Sequence, residues 1–442
     1  MPAENKDKPT ESSSNRRPRW VTVGGVLVLL AVVAWAVILG PSTINSRCLS
    51  LARSRMEQFE YTRALKSLEF AESLGLDDQE THFLKARIYR KTGRFNLFEE
   101  SLGKAGSKGL PKTRIENEKL LLRGQSGNLR ELLDELENLA GGVDQFDPRE
   151  VYEAIVNGFL LYGRFMDANL YVQNWEKDFP TDPRQRFYRA ILLIRFGPIQ
   201  KIQGAQEKAA GILDKLTSEY PNYFQAAMTY GDLLFNLNRI EDAVPQFERC
   251  RQHPDAGIQP TLSLARCYAN LGQQQKAKAL FREVLEREPA NDFARAELGK
   301  LQYNDEEFEE ARVNLEAAYP NRKWDFDLVN SLARTLRAPE DQQRRKELLE
   351  RANLIREKLA IAQDLMAAIE VRDDEEKRFQ LGMILLEYSD PETGVIYLSS
   401  ILEKNPAHPG ARAALRKYYQ SKSLATPNQN LPDRPSANSP NL

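Results

Sequence analysis

Along most of this chain a small or compact residue returns with a period of 34, and that spacing constrains the fold more than any other feature. The residues are Ala52, Ala86, Leu120, Val156, Ala190, Gly231, Ala265, Gly299, Ala333 and Gly382, with most gaps equal to 34. A second small set follows twelve residues later, at Ala64, Ala243, Ala277, Ala311 and Gly394. Four residues further on stands a large apolar set: Leu68, Leu102, Leu136, Val172, Phe247, Phe281, Leu315 and Leu398. Two helices of about 12–14 residues account for these intervals, because small residues let the two axes cross closely while the large one fills the gap to the next pair. Gly93, Gly127, Gly163, Asn238 and Gly272 fall between the helices, where the chain must reverse and a positive φ is needed. Pro180, Pro221, Pro289 and Pro406 close units, since proline can start a helix but not continue one.

The best copies are Leu264-Ala265-x2-Tyr268 with Ala277, Phe281 and Pro289, and Tyr230-Gly231-x2-Leu234 with Ala243 and Phe247. Leu381-Gly382-x2-Leu385 with Gly394, Leu398 and Pro406 is a third. This pattern resembles the tetratricopeptide repeat family over residues 45–408, as about ten units with a terminal helix from Pro409 to about Gln420. The resemblance implies an all-α, right-handed superhelical α-solenoid whose first helices line a concave groove. Leu120–Leu139 departs most from the pattern, lacking both small residues.

In that groove the resemblance places the residue after each compact position. The chain offers Arg53 and Arg87 there, then Arg266, Lys300 and Arg334 in three consecutive units. Asn270 and Asn304 lie one turn after the first two, and Asn330 one turn before the third. A basic ladder with interleaved amides suits a carboxylate or an extended acidic peptide, through charge-assisted hydrogen bonds. The expected partner is therefore a protein or peptide segment, and Arg266, Asn270, Lys300, Asn304, Asn330 and Arg334 of these three consecutive units form the candidate peptide-binding groove.

Ahead of the repeats, Val21–Gly40 carries no charge. Twenty helical residues span about 30 Å, the thickness of a bilayer's hydrocarbon core, so 20–40 reads as a transmembrane signal anchor held in the lipid bilayer. Cleavage after Ala34-Trp35-Ala36 is the competing reading. Lys6, Lys8, Arg16, Arg17 and Arg19 precede the run, against Arg47, Arg53 and Arg55 after it. That bias places the N-terminus in the cytoplasm and the repeats outside it, on the periplasmic side of a bacterial inner membrane. Residues 1–19 and 421–442 are polar and read as disordered tails flanking a repeat domain over 41–420.

Two insertions interrupt the period. Gly197–Gly204 lengthens one turn, and the stretch 338–371 adds a long helix, about Glu340–Val371. Leu348, Ala352, Ile355, Leu359, Ala362, Met366 and Ile369 form a heptad seam along it. The seam either packs on neighbouring repeats or pairs two copies, which would make the chain a self-assembling homodimer. No phosphate loop, dinucleotide fingerprint, nucleophile elbow or zinc-helix motif is present, so the chain reads as a binding scaffold with no enzymatic role, cofactor or metal. The acidic clusters Asp305–Glu310 and Asp373–Glu376 read as solvated turns, and Cys250 and Cys267 as core fillers. With 62 basic against 63 acidic residues, nucleic acid is not an expected partner.

Overall fold

The computed structural model describes residues 40–127, 129, 131–141, 146–161, 164–197, 202–254, 256–367, 374–405 and 407–425. The apolar run expected to cross a membrane lies outside them, except for Gly40, as do the N-terminal tail, residues 426–442, Gly163 and Pro406; residues 421–425, expected to open a disordered tail, instead continue the last helix. Among the described residues no helix is long and apolar enough to span a bilayer, and all regular structure is helical.

The chain divides into two compact units, Met1–Pro111 and Lys112–Leu442. The first holds two hairpins: α1 (Gly40–Glu57) with α2 (Tyr61–Ser73), and α3 (Gln79–Lys91) with α4 (Phe95–Ser107). Ala52, Ala64, Ala86, Leu68 and Ala105 have no exposed surface. Asp78 starts α3 with a capping box, its carboxylate accepting from the Thr81 N–H while the Thr81 hydroxyl faces the Asp78 N–H.

The second unit opens with α5 (Lys112–Gln125), α6 (Leu133–Gly141), α7 (Pro148–Leu161) and α8 (Phe165–Asp178). Then come α9 (Pro183–Arg195), α10 (Ala205–Glu219), α11 (Phe224–Asn236), α12 (Ile240–Arg251), α13 (Gln259–Asn270) and α14 (Gln274–Arg287). It closes with α15 (Asp292–Asn304), α16 (Phe308–Ala318), α17 (Phe326–Thr335), α18 (Gln342–Ala367), α19 (Glu375–Tyr388), α20 (Pro391–Lys404) and α21 (Pro409–Ala425). Helices pair in sequence as eight hairpins, and α21 covers the end of the last one. Val156, Ala190, Ala265 and Ala333 have no exposed surface, and neither do Val172, Phe247, Phe281, Leu315 and Leu398. A Cβ on Gly231 would lie 2.7 Å from the Phe247 ring, and one on Gly299 2.7 Å from Leu315 Cγ. The small residue and the large one sixteen positions on therefore meet, as the periodicity requires.

The departing unit solves the same problem one turn later. Leu120 is only half-buried; the close approach belongs to Gly124, where a Cβ would sit 2.8 Å from Leu136 Cδ1. Gly124 also meets the next first helix backbone to backbone: a Cβ on Gly158 of α7 would lie 2.4 Å from the Gly124 carbonyl oxygen. The short nine-residue α6 leaves α5 and α7 to touch directly.

Turn glycines behave as expected at Gly93, Gly127 and Gly272, with φ of 71°, 97° and 72°, and Asn238 substitutes at 59°. In two hairpins no glycine marks the reversal, and Phe59 (φ 60°) and Glu306 (φ 63°) take the left-handed conformation instead. The flanking side chains hold Glu306 there. Asp305 and Glu307 both bind Lys278, at 2.5 and 2.8 Å, and the Lys278 side chain is 1% exposed. Burial alone would lower the ammonium's pKa, but these two carboxylates outweigh it and the group is shifted upward. This part of the acidic cluster is thus an ion-pair clamp, not the solvated turn expected from sequence. Since a side chain in the left-handed region costs about 1 kcal/mol, Glu306→Gly should raise stability by about 0.5–1 kcal/mol, read as a higher denaturation midpoint.

The long inserted helix is α18, two residues shorter at its start than expected, and residues 368–371 lie outside the described set. Its seam is used within the chain. Leu348, Ala352 and Ile355 are buried with α16 and α17, and Ala362 with Leu381 and Leu385 of α19. Met366 is half exposed, and Ile369 lies outside the described residues.

Candidate functional site

The ladder residues sit on the successive first helices α13, α15 and α17, but their surroundings differ. Arg266 lies between two rings, with its guanidinium 4.6 Å from the centre of Phe235 on α11 and 6.0 Å from Phe293 on α15. Arg322 also lies 5.3 Å from the centre of Phe293 and 4.6 Å from Trp324, and it pairs with Asp325 at 3.0 Å. Phe235, Arg266, Phe293, Arg322 and Trp324 thus form one alternating stack of rings and cations across three first helices and the segment leading into α17. Each contact of this kind is worth about 0.5–1 kcal/mol at an exposed site and more when water is excluded.

A carboxylate faces this stack. Asp232 reaches solvent, yet the protein crowding it raises its carboxyl above the usual range, while Arg266 and a hydrogen bond from Ser263 pull it down. Asp232 follows the compact residue Gly231, so it lies in the same register as Arg266, 34 positions earlier. That spacing could have shown that the ladder begins with an acid. Phe235, Phe293, Arg322 and Trp324 carried no comparable signal, because ring-to-guanidinium stacking depends on how consecutive hairpins are rotated.

The other ladder groups are less available. Lys300 Nζ is 2.6 Å from Glu297 on its own helix. Arg334 is exposed and donates to Asn330 Oδ1 at 3.3 Å, so those two are brought together. Asn270 turns back to donate to the Arg266 carbonyl at 2.9 Å, and Asn304 is exposed. In the first unit Arg53 pairs with Glu80 at 3.0 Å, and Arg87 lies 4.9 Å from the Phe83 ring. An open cleft of about 780 Å³ between α8, α9 and α10 also presents cations, including Arg186, Arg189, Lys208 and Lys215. Glu219 and Glu176 already pair with its two arginines.

Cys250 and Cys267 are buried and free, and burial pushes their thiols up to about 12 and about 11. Thiolates being the reactive form, these side chains act as apolar filler.

Residues 262–291, the α13–α14 hairpin, match the family model described as tetratricopeptide repeat. The match falls on the best copy of the repeat and adjoins the stack. None of the curated proteins matches the chain. Among solved structures, pilF of Pseudomonas aeruginosa is 15% identical over 51% of this chain and 95% of its own, with a TM-score of 0.40. A tetratricopeptide repeat protein from Parabacteroides merdae is 14% identical over 60% of this chain and 97% of its own, at 0.36. The Cut9–Hcn1 hetero-tetramer of the APC/C aligns over 90% of this chain and 89% of that one, with 13% identity and a TM-score of 0.36. Scores of this size define no shared superhelix, and the hairpin architecture rests on the chain's own helices.

Proposed function

We propose that this chain is a membrane-anchored tetratricopeptide scaffold that captures an extended acidic segment of a partner protein along the first helices α11, α13, α15 and α17. In this reading the repeats wind as a right-handed solenoid. The uncharged run before α1 holds them to a bacterial inner membrane, with the N-terminus cytoplasmic and the repeats periplasmic. The observation that carries the binding reading is the stack from Phe235 to Trp324. Its part-exposed rings offer apolar surface to side chains of a bound segment, and the Arg266 guanidinium, together with the Arg322 donors that Asp325 does not take, offers hydrogen bonds to carboxylates. The choice between Arg and Lys matters here, because only a planar guanidinium can lie on a ring and still donate from its edge. Self-assembly through the long helix is the weaker reading, since four of its seam residues are already buried within the chain.

Trp324 provides the reporter. Titrating the protein with a twelve-residue peptide of alternating Glu and Phe should change tryptophan emission saturably, and the change should vanish in Trp324→Phe. Binding should weaken as salt rises from about 0.05 to about 0.5 M, where the Debye length falls to a few ångströms. Equal affinity for a peptide of alternating Lys and Phe would refute the site.

A further inference from the structure

We infer that the first hairpin does not merely follow the anchor but rests on the bilayer, with Ile44, Phe70 and Leu74 seated in the lipid interface. The inference depends on the membrane anchor of the preceding section and adds a contact surface to it.

Three observations on the first unit lead there. The apolar run ends at Gly40, which already belongs to α1, so no linker separates the two in sequence. One turn into α1, Ile44 is 38% exposed. Four residues of helix rise only about 6 Å, which keeps Ile44 beside the end of the run. The same end of the hairpin carries the close of α2. Its chain direction is reversed relative to α1, and the hydrogen bond from Asn45 Nδ2 to Asp78 Oδ2, 2.9 Å, ties the start of α1 to the segment after α2. Phe70 and Leu74 lie on that returning end, 55% and 49% exposed.

Their chemistry differs from that of the corresponding positions in other repeats. Where Phe70 stands, the units with the same spacing have Lys104, Arg249, Glu283 and Ala317. Where Leu74 stands they have Lys108, His253, Arg287 and Asn321. Apart from Ala317 these residues are polar or charged and suit water, so the large apolar pair in the first unit marks a different environment. An aromatic ring at headgroup depth, with leucine and isoleucine beside it, is the composition of an interfacial surface. The membrane is the occupant because the apolar run reaches this end of the hairpin and no other. The opposite end also has an exposed leucine, Leu97 at 41%. It stands the length of α3 away, about 20 Å, beyond the reach of the interface.

The test uses the full chain reconstituted in phosphatidylcholine–phosphatidylglycerol vesicles. A bimane probe is placed at Leu74→Cys or at Leu97→Cys, since the three native cysteines are buried. Brominated lipids should quench the probe at 74 at least twofold more than the probe at 97. Equal quenching at the two positions, in protein that floats with the vesicles, would overturn the seat and leave the anchor standing. A blue-shifted probe at 74 that brominated lipid does not quench would mean that a second copy covers this face, which also overturns it. Protein that fails to float with vesicles overturns the anchor, and the seat with it.

Discussion

Gly158→Leu should destabilise the second unit more than any other single glycine substitution among its first helices. Its Cβ would sit 2.4 Å from a backbone carbonyl and 2.7 Å from Leu129 Cδ1, so α5 and α7 would have to separate. At Gly299 the nearest obstacle is the side chain of Leu315, 2.7 Å away, and the backbone stands further off, with the Ala311 carbonyl oxygen at 3.3 Å. Overpacking costs about 1–3 kcal/mol when side chains can yield, and the backbone contact places Gly158→Leu at or above the top of that range. Leu120→Ala should cost little, because Leu120 is half-buried and away from the crossing. Repeat arrays unfold in parts, so hydrogen exchange is the appropriate measurement. Amides of α5 and α7 should lose protection in Gly158→Leu while those of α13 to α16 keep theirs. Uniform loss across the unit would mean that the two glycines do not form a local crossing.

The second large effect concerns binding. Arg266→Gln together with Arg322→Gln should weaken capture of the acidic segment by at least tenfold, about 1.4 kcal/mol, because both cations of the stack are lost at once. Lys300→Gln should do much less, since Glu297 already occupies that ammonium. Reversal of Arg266 to Glu would be a poor test of binding alone. It would set a second carboxylate beside Asp232 and remove two ring contacts, so the fold would suffer together with the groove. Isothermal titration of the double arginine variant and of Lys300→Gln separates these cases, and a Lys300 effect equal to the double arginine effect would contradict the assignment.

The helical hairpins were legible in the sequence because most of them place a small residue at the crossing and a large one sixteen positions on, and the interval survives substitution of the residues themselves. Leu120 misled because the α5–α6 pair crosses one turn later, at Gly124, and a fixed period cannot register a shift of that kind. Phe59 and Glu306 left no trace, since a left-handed residue that is not glycine or asparagine has no sequence mark. The candidate groove was legible only as a line of positive residues. Which of them remain available depends on partners such as Glu297, Asp232 and Phe293, whose arrival is decided by packing between hairpins.

Site-specific photocrosslinking in intact membranes tests the central claim most directly. A photoreactive phenylalanine analogue at Phe293, inside the stack, should form a discrete adduct with one partner polypeptide. The same analogue at Arg282, exposed on the second helix α14, should form none. The adduct at 293 should disappear when the glutamate–phenylalanine peptide is present in excess. Adducts of equal yield from 282 and 293, or an adduct at 293 that the peptide does not displace, would contradict a scaffold that binds through its first-helix face.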